Sequence, residues 1–336
     1  MNTKNEKQML AKDFRMRRIL GSARELTTEV LRLLVLYPYK EFDPEHLGNS
    51  REYTAAKLCE TLPKSGGVLM VADDGRRLLG LMHLEPMLGP SAAMNMHIWN
   101  ASPLIVAPEV TASGVAKMMK ESIAATDTPV DFVTVKVPSA DAAAAAGLQK
   151  AGFRVMSGEA VAVAMDPRPT PTSQNGVRFL PFDAKHIDAA MAIACDCLQC
   201  NSFACNQGFD RDLVCKLTGL RLRRFVHEKD KNGLLVLDST EKIVGFATYC
   251  LYEDTESHTN GGIGSVDQMC VSADGNERRI ERILGRRVMN EMCARGVTAV
   301  TTRTTLNRMI EKVGSLKKIG FEVTHSNLVM SRWLAA

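Results

Sequence analysis

The sequence predicts an α/β (α+β) fold of two tandem units, each a mixed, mostly antiparallel sheet flanked by helices. The first observation is the order of elements near the C-terminus: strand, polar loop, helix, strand, helix, strand. The three strand-like runs are Val266–Val271, Thr298–Thr302 and Leu328–Trp333, and the first helical stretch is Ile280–Arg295. Short apolar runs that alternate with polar residues predict strands, and longer runs with helical spacing predict helices.

The second observation is an internal repeat, because the same order of elements occurs about 170 residues upstream. Strand-like runs at Leu104–Val106, Phe132–Val137 and Ala160–Met165 alternate there with a helix that ends near Ala125 and an alanine-rich helix at Asp141–Lys150. A Gly-Phe pair follows the second helix in both copies. The repeat predicts two units of one architecture.

A hairpin precedes the repeated segment in each unit. The first joins Val68–Ala72 to Leu78–Leu84 through an Asp-Gly turn, and the second joins Gly233–Leu237 to Ile243–Leu251. Asp-Gly between apolar runs is a strong hairpin signal. Residues 167–176 contain three prolines and read as a linker. The expected domains are therefore residues 1–166 and 177–336.

Composition limits the class of protein. The 336 residues are 45% hydrophobic and 24% charged, which is typical of globular domains and sufficient for two of them. The net charge of +4 is spread along the chain, without the basic patch that nucleic acid requires. Apolar runs are too short for a membrane span, and the N-terminus lacks a signal-peptide pattern. We expect a cytoplasmic protein with neither nucleic acid nor membrane as partner.

The order of elements from Val266 to Trp333, with Gly320-Phe321 after the second helix, resembles the C-terminal half of a GNAT-type N-acetyltransferase. The resemblance implies acetyl-CoA, or another acyl-CoA, as cofactor and a primary amine as acceptor. A strand that splays from its neighbour can pair with an extended pantetheine arm. The helix start that follows can bind a pyrophosphate through its free N–H groups and its dipole.

The phosphate-binding loop of GNAT proteins reads Gln or Arg, two residues, Gly, one residue, then Gly or Ala. In the first unit this register falls on Thr111 to Ala116, where Gly114 and Ala116 match. In the second unit it falls on Asn276 to Glu281, where Arg279 and Glu281 replace the small residues. Arg278 and Arg279 could contact phosphate through their side chains, whereas Glu281 should repel it.

Transferred residue by residue, the resemblance gives a set of cofactor contacts. They are Met269, Cys270, Val271, Asn276, Arg278, Arg279, Ile280 and Asn307 in the second unit, and Gly114 and Ala116 in the first. Which unit binds the cofactor stays open.

Amine attack on a thioester requires a general base, because the acceptor arrives as an ammonium ion. Asp267 is the candidate; it alternates with Met269 and Val271 and should share their face of the strand. A solvent-facing carboxylate is the alternative interpretation. The tyrosine that many GNAT enzymes use as general acid is replaced by Leu148 and Leu316.

Within the GNAT proteins, the whole-chain pattern is most similar to the two-part group that includes TDP-fucosamine acetyltransferase. That likeness implies an amino sugar or a nucleotide-linked amino sugar as acceptor. The chain could form a homodimer. The likeness to this two-part group rests on Asp43, His46–Gly48, Leu148–Phe153, Asn201–Asp210, Thr302, Asn307, Gly320-Phe321, Ser326 and Trp333-Leu334.

Two other features compete for a functional interpretation. Cys195, Cys197, Cys200 and Cys205 could in principle bind a metal, but their spacing favours buried thiols, and we predict no metal site. The arginines from Arg278 to Arg287 form a basic helix face that either is solvated or contacts phosphate. A catalytically silent GNAT-fold protein, which binds acyl-CoA or a protein partner, is the alternative to an enzyme.

Overall fold

The protein is described by a computed structural model. It describes residues 14–20, 23–39, 50–62, 66–165, 167, 176–197, 203, 206, 208–227, 231–252, 262–273 and 276–334, with the backbone alone at 231 and 307–311. Within these residues the chain forms two compact units. One contains the residues up to Met156 together with those from Asn327 onward, and the other is Ser157–Ser326.

The first unit is a sheet with helices along it. Its strands are β1 (Arg15–Ile19), β2 (Val68–Asp73), β3 (Leu78–Pro86), β4 (Ile98–Val106), β5 (Phe132–Pro138) and the end of β12 (Glu322–Trp333). Its helices are α1 (Thr27–Leu36), α2 (Arg51–Thr61), α3 (Leu88–Met94), α4 (Ala112–Ala124) and α5 (Ala142–Lys150). Neighbouring strands pair antiparallel except β4 and β5, which are parallel.

The second unit repeats this plan. Its strands are β6 (Arg154–Met165), β7 (Arg178–Pro181), β8 (Lys231–Leu237), β9 (Ile243–Tyr252), β10 (Gly262–Val271) and β11 (Val297–Thr305). Its helices are α6 (Ile187–Asp196), α7 (Arg211–His227), α8 (Glu277–Cys293) and α9 (Leu306–Ile319). The strand order is β7-β8-β9-β10-β11-β6, and β10 with β11 is the parallel pair. The predicted fold class is confirmed.

The last strand of each unit differs from the sequence expectation. Ala160–Met165 was expected to close the first unit, yet it pairs with β11 in the second. Leu328–Trp333 was expected to close the second unit, yet it pairs with β5 in the first. Both β5 and β11 offer an open edge to an antiparallel strand, so the local pattern identifies a strand but not its partner. The predicted linker, apart from residues 167 and 176, lies outside the described residues.

The sheet of the second unit has a different hydrophobic core on each face. Leu235 and Phe246 pack with α6 and α7 on one face. Val236 and Ala247 pack with α8 and the end of α9 on the other. Successive residues of a strand point to opposite faces, which explains why neighbours in sequence belong to different cores. We call these the α6–α7 face and the α8–α9 face.

Candidate active site

Strands β10 and β11 separate toward their C-terminal ends. Their parallel pairing runs from Gly262 to Val266 on β10 and reaches Thr302 on β11. Beyond this point β10 continues to Val271 paired with β9, and β11 continues to Thr305 paired with β6. Among the described strands, none pairs with the β11-facing edge of β10 after Val266. An extended ligand with amide groups could bind along that edge as an added strand.

A β-bulge lies where the two strands separate. Val266 pairs with Tyr249 and the next paired residue, Gln268, faces Thr248, so Asp267 is the extra residue of β10. A bulge of this kind redirects side chains and is common beside active sites.

Because of the bulge, Asp267 lies on a different face of the sheet from the one that the sequence predicted. Met269 and Val271 pack into the core of the α8–α9 face, as does Tyr249. The thiol of Cys250, the next residue after Tyr249, therefore lies on the α6–α7 face and donates to Asp267 Oδ1 at 3.6 Å. Asp267 thus lies on the α6–α7 face rather than with Met269 and Val271. The sequence-based expectation differed because it assumed that residues alternate without interruption along the strand.

A cavity of about 150 Å³ occupies this opening and reaches both faces of the sheet. Its walls are formed by groups from each side and by the two separating strands. Ala194, Cys197, Thr218 and Arg221 come from α6 and α7; Glu281, Lys312 and Leu316 come from α8 and α9; Val266–Cys270 and Thr302–Thr304 come from the strands. Because the two strands separate here, residues from both faces of the sheet line one cavity. A donor molecule and an acceptor molecule could therefore enter it from opposite sides.

One ion pair lies in the cavity wall, and a second joins a residue of that wall, Arg303, to Glu159 on β6. Lys312 Nζ is 2.9 Å from Glu281 Oε1, and both side chains are nearly buried. Glu281 Oε1 has no well-directed hydrogen bond, so this contact is an ion pair. Arg303 Nε is 3.7 Å from Glu159 Oε1. The charge of Glu281, which was expected to repel phosphate, is therefore balanced by Lys312.

Besides Glu281 Oε1, two polar atoms in the cavity wall have no hydrogen-bond partner among the described residues. They are Gln268 Oε1 and Thr304 Oγ1, and both are buried. A buried polar atom without a partner costs free energy, so such atoms mark places where a ligand is expected to bind. Together with the unpaired edge of β10, they fit the amide and carbonyl groups of a pantetheine arm.

The predicted cofactor contacts of the second unit lie around this opening. Asn276, Arg278 and Arg279 are exposed at the start of α8, whereas Ile280 is buried. On β10, Cys270 packs into the α6–α7 core and also lines the cavity, whereas Val271 packs into the α8–α9 core and does not line it. The Asn307 side chain lies outside the described residues. The structure thus brings Asp267, Met269 and Cys270 into one cavity wall, with the arginines at the adjoining helix start.

The corresponding region of the first unit is packed closed. A Cβ atom on Gly147 of α5 would lie 2.5 Å from Val115 Cβ and 2.7 Å from the carbonyl oxygen of Ala112. Lys150 Nζ also reaches Ser113 Oγ at 3.2 Å, so α5 covers the first turn of α4. This contact leaves little room for a ligand between the two helices.

Gly114 and Ala116, the matching small residues of that helix, are buried in packing contacts. A Cβ atom on Gly114 would lie 2.9 Å from Val110 and 3.1 Å from Phe14. The Gly114 N–H is already capped by Thr111 Oγ1 at 3.4 Å. Close packing explains Gly114 without a phosphate, and Ala116 is part of the same buried core.

The two leucines at the tyrosine position differ in setting. Leu316 lines the cavity of the second unit, whereas Leu148 is fully buried in the core of the first. Lys312 lies one helical turn before Leu316, and its place in the cavity could have been inferred from that spacing. Arg221, Gln268 and Thr304 were missed, because no sequence signal showed that α7 and β11 would meet β10 here.

The cysteine cluster forms no described metal site. Cys197 donates to the carbonyl oxygen of Val271 at 3.2 Å and is buried, while Cys200 and Cys205 lie outside the described residues. Within the described ranges no group of three potential metal ligands comes together. Burial and the neighbouring Cys215 thiol raise the pKa of Cys195 to about 12, which keeps it protonated.

Comparison with solved structures identifies the fold. A GCN5-related N-acetyltransferase from Sphaerobacter thermophilus aligns over 96% of this chain and 96% of its own, with a TM-score of 0.60 at 14% identity. A tandem GNAT protein from the clavulanic acid biosynthesis pathway aligns over 96% of this chain and 99% of its own, with a TM-score of 0.56 at 12% identity. This chain has a tandem GNAT fold.

A third structure with the GNAT fold is a glucosamine N-acetyltransferase region of a fungal multi-domain β-N-acetylglucosaminidase. It aligns over 95% of this chain and 38% of its own, with a TM-score of 0.59 at 14% identity. Neither a protein-family model nor a curated protein sequence matches the chain. None of the described helices combines the length and the apolar character needed to cross a bilayer.

Proposed function

We propose that this protein is an acyl-CoA-dependent N-acyltransferase whose second unit holds the active site. Acetyl-CoA or another acyl-CoA is the donor, and a primary amine is the acceptor. The observation that supports this most is the separation of β10 and β11 around the bulged Asp267, which opens a cavity to both faces of the sheet. The closed packing of α4 and α5 favours the second unit over the first.

In this proposal the chain's own groups position the reactants and move protons. When bound, the cofactor supplies an acyl thioester for the amine to attack. The free edge of Met269–Val271 holds the pantetheine arm, and backbone N–H groups there polarise the acyl carbonyl. Arg278 and Arg279 at the start of α8 contact its phosphates. Asp267 Oδ accepts the proton of the acceptor ammonium from the α6–α7 face. The Lys312 ammonium carries a proton within the cavity, whereas Leu316, at the position of the usual tyrosine, has no proton to donate.

The acceptor class follows from resemblance. An amino sugar or a nucleotide-linked amino sugar is proposed because the sequence is similar to the TDP-fucosamine acetyltransferase group, and the fungal structure acts on glucosamine by its description. A cytoplasmic location and a homodimeric state belong to the same proposal. The nine cysteines, most of them in apolar runs, suit a reducing compartment.

The test is transfer from acetyl-CoA to a panel of primary amines, with the acetylated product measured by mass spectrometry. We expect Asp267→Asn to lower turnover by about 10²–10⁴-fold, the usual contribution of a general base. Asp267 is exposed, so the folding free energy should change by less than about 0.5 kcal/mol. Asp188→Asn, an exposed carboxylate at the start of α6 outside the cavity wall, is the matched control. Turnover of Asp267→Asn within threefold of wild type would exclude Asp267 as the base.

A catalytically silent acyl-CoA-binding protein is the second candidate. It is favoured by the leucines at both tyrosine positions and by Glu281 in place of a small residue at the start of α8. Tight binding of acetyl-CoA without transfer to any amine and without hydrolysis would support it. Either reaction, if abolished by Asp267→Asn, would exclude it.

A further inference from the structure

We propose that Arg221 binds an anionic group of the acceptor, so that the substrate is an amine that also carries a carboxylate or a phosphate. This inference rests on the proposed acyltransferase function. It begins from Arg221 on α7, an exposed residue that lines the cavity. Its guanidinium carbon lies 5.9 Å from the centroid of the Phe203 ring.

Arg221 differs from the other cations of the cavity wall. Lys312 is paired with Glu281, and Arg303 is paired with Glu159. Among the described residues, Arg221 has no carboxylate at ion-pair distance. Although part of the Arg221 side chain is exposed, desolvation by the surrounding protein lowers the pKa of its guanidinium. A carboxylate or phosphate that binds the planar guanidinium through two hydrogen bonds would offset that cost.

The position of Arg221 separates it from the proposed cofactor contacts. It comes from α7, and neighbouring Leu222 and Phe225 pack into the core of the α6–α7 face. Arg278 and Arg279 begin α8, whose buried residues pack on the opposite face. An anion bound at Arg221 would therefore belong to the molecule that enters from the α6–α7 face, and that molecule is the acceptor.

The charges on this face match a zwitterion. Asp267 lies on the α6–α7 face near Cys250, and Arg221 lines the same cavity. An acceptor that bears an ammonium and an anion could place the ammonium at Asp267 and the anion at Arg221. The two contacts would fix its orientation, so that the nitrogen points toward the opening between β10 and β11. A neutral amine would gain only one of them.

The test compares pairs of amines that differ in the anionic group. Full-length protein and acetyl-CoA are assayed with glucosamine against glucosamine 6-phosphate and with tyramine against tyrosine. We expect kcat/KM to favour the anionic member of at least one pair by about 100-fold, as for a charge-assisted hydrogen-bonded pair. The phosphate pair and the carboxylate pair show which anion is preferred.

Variants of α7 show whether Arg221 is responsible. Arg221→Met should remove the preference, and Arg221→Lys should restore part of it, because a lysine retains the charge without the planar geometry. Arg223→Met removes an exposed arginine of the same helix that does not line the cavity, and it should keep the preference. Equal kcat/KM within both pairs for the wild type, or an unchanged preference in Arg221→Met, would overturn the inference.

A binding measurement tests the role of Arg221 independently of the proposed acyltransferase activity. If wild-type protein acetylates no amine, the acyltransferase proposal fails, and thermal stabilisation by glucosamine 6-phosphate and tyrosine then decides on Arg221. Stabilisation by either compound that is lost in Arg221→Met but kept in Arg223→Met would retain the anion site. Absence of such stabilisation would overturn it as well.

Discussion

The buried ion pair between Glu281 and Lys312 allows a quantitative test of the structure. The two charged atoms are 2.9 Å apart, and their side chains are only 5% and 12% exposed. Lys312→Met keeps most of the side-chain volume but removes the cation. The carboxylate of Glu281 would then be buried without its partner, which typically costs about 3–5 kcal/mol of folding free energy.

A double-mutant cycle separates this penalty from the net contribution of the pair. Glu281→Gln combined with Lys312→Met removes both charges, so no unpaired ion remains in the double variant. Its folding free energy should therefore lie within about 1 kcal/mol of the wild-type value. Lys317→Met removes an exposed cation from the same helix and should change the folding free energy by less than about 0.5 kcal/mol. The double variant should therefore be more stable than Lys312→Met alone.

Urea unfolding followed by circular dichroism is the assay. With a slope of about 2 kcal/mol per molar urea, Lys312→Met should lower the midpoint by about 1.5–2.5 M. Both tryptophans, Trp99 and Trp333, lie in the first unit, so their fluorescence cannot stand in for a signal from α9. A loss below 1 kcal/mol in Lys312→Met would refute the reasoning, because it would show that water or another group solvates Glu281.

Three further predictions concern the cofactor, the first unit and the thiols. In calorimetry with acetyl-CoA, Arg279→Glu should weaken binding at least tenfold. Arg295→Glu, the same change beyond the other end of α8, should not weaken it. Similar losses of affinity in both variants would show that the start of α8 does not bind the cofactor. Gly114→Glu should lower stability, because its side chain would meet Val110 and Phe14, and should leave affinity unchanged; loss of affinity without loss of stability would place the cofactor in the first unit. With a pKa of about 12, only about one part in 10⁴ of Cys195 is thiolate at pH 8, so iodoacetamide should label it far more slowly in native than in unfolded protein. Peptide mass spectrometry measures the labelling, and equal labelling in the two states would contradict this prediction.

Most elements of the fold were predictable from local pattern. The hairpin at β2 and β3 followed from Asp-Gly between apolar runs, and its turn has Gly75 at a positive φ of 82° as expected. Gly320 ends α9 in the left-handed conformation, with φ of 102°, which is why a Gly-Phe pair marks a helix end. The edge strands β1 and β7 were missed, because three of the five residues of β1 are arginines and none of the five is buried, and β7 contains only four residues.

The sequence by itself determined the repeat, the order of elements from the hairpin to the Gly-Phe pair in each unit, and the place of Asp267 within a strand. The tertiary structure decided which strand completes each sheet, because β5 and β11 present equivalent edges and pairing depends on distant segments. It also decided the face on which Asp267 lies, since one extra residue at a bulge reverses an alternation that the sequence shows as continuous. Finally, it brought Arg221, Gln268 and Lys312 into one cavity, because residues from α7, β10 and α9 become neighbours only where two strands part.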